Sequence, residues 1–479
     1  MKKIRDFLSN TPENCYMLTI VILCVLLLFA GLWSYPLVDV DETRYAVMSR
    51  DLIGSGNWNL LFVNGVPFIE KPPLYFWLTA LSIKFLGFNE FAVRFPVSLL
   101  AVFTVIATYF TGKVLKNAKY GFFSAIILLC SAFFIMLAHV AILDMVFTAF
   151  CTLAIYCGVL TEYSGKKGLF WSLFYVSAGL AFLSKGLLGL IIPFCVVGIF
   201  KILQKGFWAA LKDCFQPKYF LPGMLLFIII NFPWHYEMYK VYGNKFIYEY
   251  FVLHHFARFV NAETLGKTRP LLYFVPVFIV AFLPWTPVFI LRLHKAFKEN
   301  GFKDKLNLFF FLYFSFIFTL FSCASGKLPT YILPAFPACA FLCADYLVTA
   351  QKQKYLNTGV AVMLFANFIC LTVVFPLIYK GGMNELVTYS KIAQTAKTHL
   401  ITFNIPIKPS LLLNYKLDNI DFIIENDVEK LKIAVAENPE SYLVVRNDKL
   451  QKSAYKAMIQ SNFSLIRNDK KYSLYHSGN

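Results

Sequence analysis

Charge is what this chain has least of. Only 15% of its 479 residues are Asp, Glu, Lys or Arg, and acidic residues are the rarer kind, 27 against 45 basic ones. A soluble globular protein carries about 25% charged residues, so the deficit excludes an ordinary water-soluble fold for most of the chain. Cysteine is absent beyond Cys370, which excludes a disulfide framework for the C-terminal tail. The first apolar run lacks a small-residue cleavage site, so it is expected to stay as an uncleaved signal anchor. What stands in place of charge is 58% hydrophobic residues, 18% of the total being aromatic. The net charge of +18 would suggest nucleic acid in a soluble protein. Here the Lys and Arg residues sit between apolar runs, where they orient helices, and no nucleic-acid partner is expected.

Apolar runs that approach or reach the roughly 20 residues needed to cross a bilayer lie near 14–35, 95–113, 120–138, 143–161, 168–184, 186–204, 219–235, 270–291, 306–322, 330–349 and 356–379. About 11 transmembrane helices are therefore expected over 1–379. Alternate loops are basic, as at Lys2, Lys3 and Arg5, at Lys113 and Lys116, at Lys201, Lys205 and Lys212, and at Arg292, Lys295 and Lys298. The positive-inside rule puts these loops and the N-terminus in the cytoplasm. The loop 36–94, the segments 139–143, 236–269 and 323–330, and the tail then face the opposite side. Ser184-Lys185-Gly186 interrupts one long apolar stretch, either as a tight hairpin or as a break in a single helix. Segments 42–53 and 75–86 carry apolar residues at helical spacing, which suits helices lying along the interface. From about 380 the composition turns mixed and polar, and 380–479 reads as a small α/β domain. Strands are expected at Leu411–Tyr415, Asp421–Ile424 and Ser441–Val445, with helices near 427–436 and 449–461.

The charged residues outside the basic loops gather on the non-cytoplasmic side. They are Asp41, Glu42 and Arg44; Glu70 and Lys71; Asp144; His254, His255 and Arg258; and Lys327 with Tyr331. Charge held beside a membrane is costly and usually marks a working site. Each has a structural rival. Asp41 is spaced to pair with Arg44 on one helix, and Asp144 to cap the helix it begins. Lys185 and Lys327, each beside a Gly, are placed to snorkel to headgroups. Trp234 and Trp285, each next to a Pro at a span end, read as aromatic-belt residues. Cys339 and Cys343 read as packing residues.

The order DETRYA, EKPPLYFWL, RFPVSL, LSKG, FPWH, HHFARF, FLPW and SGKLPTYILPAFP resembles the aminoarabinose transferase and protein O-mannosyltransferase superfamily. These are polyprenyl-phosphate-sugar glycosyltransferases with the GT-C fold. The resemblance covers roughly 30–350 and is stronger toward the lipid A aminoarabinose transferase branch, through the EKPPLY and SGKLPTY blocks; no motif in the tail matches. It implies an α-helical integral membrane enzyme of the bacterial inner membrane, with the 36–94 loop and the domain 380–479 in the periplasm, that moves a sugar, with inversion, from an undecaprenyl-phosphate-linked donor to lipid A or another lipid-linked glycan.

Such a transfer needs a carboxylate to orient or deprotonate the acceptor, and cations to stabilise the departing phosphate. Asp41 suits the first role, with Glu42 and Asp144 as further acidic candidates. Lys71 suits the second as a point charge and Arg258 as a planar fork, with Arg44, Lys327 and Tyr331 as additional phosphate contacts. Glu70 with His255, or His254 in its place, offers ligands for Zn²⁺ or another divalent metal that the donor phosphate would complete. Two alternatives stay open. A protein O-glycosyltransferase would depend more steeply on Asp41 as base, and a lipid or sugar transporter would want its charge near the bilayer midplane rather than at one face.

Overall fold

The computed structural model describes residues 13–38, 40–63, 65–257, 269–299 and 303–374. In the tail it describes 385–403, 419–423, 428–450, 462–469 and 471–477, with the single positions 377, 405, 411, 456 and 459. The chain is overwhelmingly helical up to Val374 and mixed thereafter. Helix α1 (Tyr16–Cys24) runs into a π-helical turn at Val25–Phe29. It is followed by α2 (Asp41–Ser55), α3 (Leu74–Leu86), α4 (Glu90–Leu115), α5 (Ala118–Leu129) and α6 (Ala132–Ala138). Helices α7 (Leu143–Tyr163), α8 (Lys167–Lys185), α9 (Leu188–Lys205), α10 (Phe207–Cys214) and α11 (Pro217–Tyr242) come next. The series closes with α12 (Phe274–Ala281), α13 (Thr286–Lys298), α14 (Lys305–Cys323), α15 (Phe336–Thr349) and α16 (Gln353–Ile369).

The described residues of the apolar runs from 95 onward fall mainly on helix. Among the described residues seven helices are long and apolar enough to cross, and ten segments do so if each of three bent pairs counts once. The pairs α5–α6, α10–α11 and Leu271–Ala281 with α13 bend by 67°, 57° and 117°. The first run differs from expectation, because over 14–35 the described helix extends only from Tyr16 to Phe29. Local chemistry explains several helix boundaries. Asn117 caps α5 by accepting from the Tyr120 amide at 2.8 Å, and Asp304 caps α14 by accepting from the Asn307 amide at 3.1 Å.

The Ser184-Lys185-Gly186 interruption is a tight turn between two helices. Gly186 takes φ +70°, a left-handed conformation that favours glycine, and ends α8. Helix α9 then packs so closely on α8 that a Cβ at Gly189 would lie 2.2 Å from the Ala181 backbone. Trp234 and Trp285 are each 1% exposed, and the Trp285 indole N–H donates to the Cys130 carbonyl at 3.0 Å. They are core residues rather than belt residues, since an amphipathic indole buried in protein still finds an acceptor for its N–H.

Contacts between Cα positions divide the described residues into two units. One comprises those of Met1–Leu32, Ile69–Phe85 and Phe91–Ile369. The other comprises those of Trp33–Phe68, Leu86–Glu90 and Cys370–Asn479. The second unit holds α2, a two-stranded antiparallel hairpin, β1 (Phe62–Val63) with β2 (Val66–Pro67), and a five-stranded sheet. That sheet contains β3 (His399–Phe403), β4 (Ile420–Ile423), β5 (Ser441–Arg446), β6 (Ser464–Asn468) and β7 (Tyr472–His476), in the order β4-β3-β5-β7-β6. Strand β3 is parallel to β4 and β5, while β7 is antiparallel to β5 and β6. Ile401, Phe403, Leu443 and Val445 alternate onto one buried face, the period-2 pattern of a strand covered on that side. Leu431 of the helix Val428–Glu437 packs there too. Two of the expected strands and the first expected tail helix are present. Residues 412–415 lie outside the described residues, as does most of 449–461.

Candidate active site

The helical unit contains a cavity of about 320 Å³. One wall is apolar, made by Leu187, Leu188 and Ile191 at the start of α9 and by Leu320 and Phe321 at the end of α14. Glu70, Lys71, Lys185, His254, His255 and Tyr331 supply its polar groups. Each comes from the end of an element: the turn before α3, the last residue of α8, the π-helix Ile247–Ala257, and the 3₁₀ turn Pro329–Ala335. Segments far apart in sequence thus place cations, a carboxylate, imidazoles and a phenol around one space with an oily side. That combination can receive an amphiphile with a phosphate head.

Lys185 organises the polar end. Its Nζ donates to Asp144 Oδ1 at 2.6 Å, and the side chains of the pair are only 8% and 14% exposed. The same Nζ stands 4.3 Å above the Tyr331 ring and 5.3 Å from that of Phe147, within the range of cation–π attraction. Asp144 is therefore not spent as a helix cap; the residue preceding α7, Ile142, offers no side-chain cap bond, and the carboxylate serves Lys185. A buried amine with a single carboxylate keeps N–H capacity for a ligand, because an ammonium carries three donors. The sequence leaves Lys185 open between a headgroup anchor beside its glycine and a residue of the site. The signal that could have found it was the lysine closing an apolar helix at a turn, paired with an acid at the start of the neighbouring helix.

His255 is held tightly. Its Nδ1 faces the Tyr250 carbonyl in a short contact. It packs so closely on the turn that a Cβ at Gly186 would lie 1.9 Å from Nε2. A carbonyl only accepts, so the neutral ring carries its proton on Nδ1 and keeps its lone pair on Nε2. Burial holds the His255 pKa below its ordinary value, and the Lys71 and His254 charges push it the same way. Among the described residues no three His, Cys, Asp or Glu side chains gather as a metal-ligand group. Glu70, His254 and His255 line the same cavity without forming such a three-residue group.

Of the remaining candidates, Lys327 is 5% exposed. Its Nζ donates to the Ala324 carbonyl at 2.6 Å and the Arg269 carbonyl at 3.0 Å, which ties down the end of α14. Arg258 lies outside the described residues. Asp41, Glu42 and Arg44 belong to the second unit, in the first turn of α2. Asp41 Oδ1 accepts from the Arg44 guanidinium at 2.6 Å, with the Asp41 side chain 60% exposed, the helical pair that the spacing allows. Arg44 also lies 5.1 Å over the Tyr45 ring and 5.7 Å over that of Phe68. Glu42 is buried, and its Oε2 accepts from the Val38 amide at 2.8 Å. That bond clasps the chain entering α2.

Residues 70–236 match the family model described as dolichyl-phosphate-mannose-protein mannosyltransferase. The chain is 31% identical to an uncharacterized protein of Aquifex aeolicus, over 75% of this chain and 70% of that one. It is also 31% identical to the undecaprenyl phosphate-alpha-4-amino-4-deoxy-L-arabinose arabinosyl transferase of Edwardsiella ictaluri, over 71% of this chain and 61% of that one. The chain thus spans about three-fifths of the length of the named arabinosyl transferases it matches. Among solved structures, ArnT from Cupriavidus metallidurans bound to undecaprenyl phosphate superposes with a TM-score of 0.78 at 18% identity, covering 97% of this chain and 98% of that one. The oligosaccharyltransferase AglB from Archaeoglobus fulgidus superposes with a TM-score of 0.54 at 10% identity, covering 98% and 74%.

Proposed function

Since this chain belongs to the GT-C superfamily of aminoarabinose transferases and protein O-mannosyltransferases, with the fold to match, we propose that it transfers a sugar from undecaprenyl phosphate to lipid A or another lipid-linked glycan. The transfer takes place at the periplasmic face of the bacterial inner membrane. The observation that carries this reading is the two-sided cavity, with Leu188, Ile191 and Leu320 on one wall and Lys71, Lys185 and Tyr331 at the polar end.

In this reading the acceptor oxygen attacks the anomeric carbon from the face opposite the phosphate. The bond from that carbon to the phosphate oxygen breaks, and undecaprenyl phosphate leaves with the electron pair. Lys71 and Lys185 stabilise the charge that grows on the phosphate, the type of interaction that contributes most to such reactions. Asp144 holds Lys185 in place, the Tyr331 hydroxyl donates to a phosphate oxygen, and Arg258 adds a forked contact. Asp41 takes the proton of a hydroxyl acceptor. A phosphate acceptor has already lost its proton, and there Asp41 with Arg44 orients it instead. Glu70 and His255 are the groups that would hold a divalent ion, which would supply positive charge to the donor phosphate.

The family model over 70–236 supports a second reading, transfer to a Ser or Thr hydroxyl of a protein. Mass spectrometry of lipid A, total glycolipid and secreted protein from cells with the chain, without it, and with Asp41→Asn separates the two. A sugar-sized mass missing from lipid in both altered strains supports the first reading. The same loss confined to peptides replaces it with the second, and unchanged masses everywhere remove both.

A further inference from the structure

The helices that carry the cavity described above carry another cavity at their opposite ends. It has a volume of about 240 Å³ and is lined by Glu162 and Tyr163 closing α7, Lys201, Gln204 and Lys205 closing α9, and Lys305 opening α14. Helix α9 has 18 residues, about 27 Å at 1.5 Å per residue, close to the ~30 Å hydrocarbon core of a bilayer. Leu188 at its start lines the first cavity and Lys205 at its end lines the second. The second cavity therefore sits a membrane thickness from the first, among the basic loops.

Its charges do not cancel. Lys201 Nζ is bonded to Glu162, to Asp213 Oδ2 at 2.6 Å and to Thr161 Oγ1 at 3.2 Å. Lys205 Nζ is 2.7 Å from Glu162 Oε2 and 3.3 Å from Asp213 Oδ2, and Lys167 also reaches Asp213. Three ammonium groups thus share two carboxylates. Lys305 is exposed at the rim and has no carboxylate partner among the described residues. The Gln204 amide adds neutral donors. A purely structural clasp would be complete with Lys201 alone, which is 1% exposed and saturated by its acceptors. Lys205, at 36% side-chain exposure, and Lys305 add positive charge facing a hollow at the level of lipid headgroups. Basic pockets between membrane helices on that side take anionic headgroups.

We propose that this second cavity binds the phosphate headgroup of an anionic membrane phospholipid. The site is separate from sugar transfer and holds whichever sugar or acceptor is used. The test is native mass spectrometry of the purified full-length protein, titrated with phosphatidylglycerol, with phosphatidylcholine, or with inorganic phosphate as competitor. Phosphatidylglycerol is expected to be retained in preference to phosphatidylcholine, and inorganic phosphate not to displace it at equal concentration. Lys305→Gln leaves every observed ion pair intact and is expected to require roughly five-fold more phosphatidylglycerol for equal occupancy; Lys205→Gln/Lys305→Gln should require roughly 25-fold more. Equal retention of the two lipids, or unchanged occupancy in Lys305→Gln with its melting temperature preserved, would overturn the proposal. Displacement by inorganic phosphate at equal concentration would do so too, pointing to a free-phosphate site.

Discussion

Lys185 and Lys201 lie at opposite ends of the helical unit, and both are buried amines facing acids on a neighbouring helix. Lys185 has one carboxylate, Asp144, and an aromatic face. Lys201 has two carboxylates and a hydroxyl. The difference is saturation. An ammonium whose three donors are all taken by protein holds helices together, whereas one left with spare donors beside a hollow is equipped to take up a ligand. Burial alone does not separate the two roles, since both are under 10% exposed.

The sharpest way to break this contrast is Lys201→Met. Removing the amine leaves Glu162 and Asp213 to the more exposed Lys205 and Lys167, and the loss is at most that of a broken buried pair, about 3–5 kcal/mol. Thermal unfolding in detergent should show that loss, while transfer per folded molecule should stay near the parent's. Lys185→Gln should do the reverse. Transfer from an undecaprenyl-phosphate sugar should fall roughly 10²–10³-fold, the size seen when one charge-stabilising donor is lost, with a smaller change in melting. If both variants lose only stability, Lys185 is a clasp as well and the contrast fails.

A smaller effect follows from His255. Burial lowers its folded-state pKa below the unfolded value of about 6.5, so the unfolded chain binds more protons between those two values. Stability should therefore fall as pH drops below about 6.5 toward the folded pKa, and stay level above it. His255→Asn should flatten that part of a melting-temperature profile; an unaltered slope would mean another group produces it. The smallest stability change is expected for Asp41→Asn. Its exposed pair with Arg44 is worth at most about 1 kcal/mol, and calorimetry should show the fold nearly untouched. A large loss of transfer in that variant would then belong to chemistry rather than to folding.

The fold was legible because its signals are local. The described residues of each apolar run from 95–113 to 356–379 land mainly on helix, and β4, β5 and the helix at Val428–Glu437 follow their patterns. The site was legible in its residue types, and Glu70, Lys71, His254, His255 and Tyr331 do line one cavity. What the sequence hid is partnership. Asp144 and Lys185 are 41 positions apart, and no periodicity links them. Trp234 and Trp285 read as belt residues because nothing local says that protein, not headgroups, surrounds them. The Tyr250 carbonyl that fixes the His255 ring is a backbone atom, which residue types do not reveal.

Gly186 carries a consequence for anyone who mutates this turn. The position is closed to side chains twice over, by its backbone angle and by the His255 ring pressed against it. Any replacement would unsettle the connection between α8 and α9 and displace an imidazole of the cavity in the same event. An inactive variant at 186 would thus say nothing about chemistry, since the hinge of the scaffold and the wall of the cavity are here a single missing methyl group.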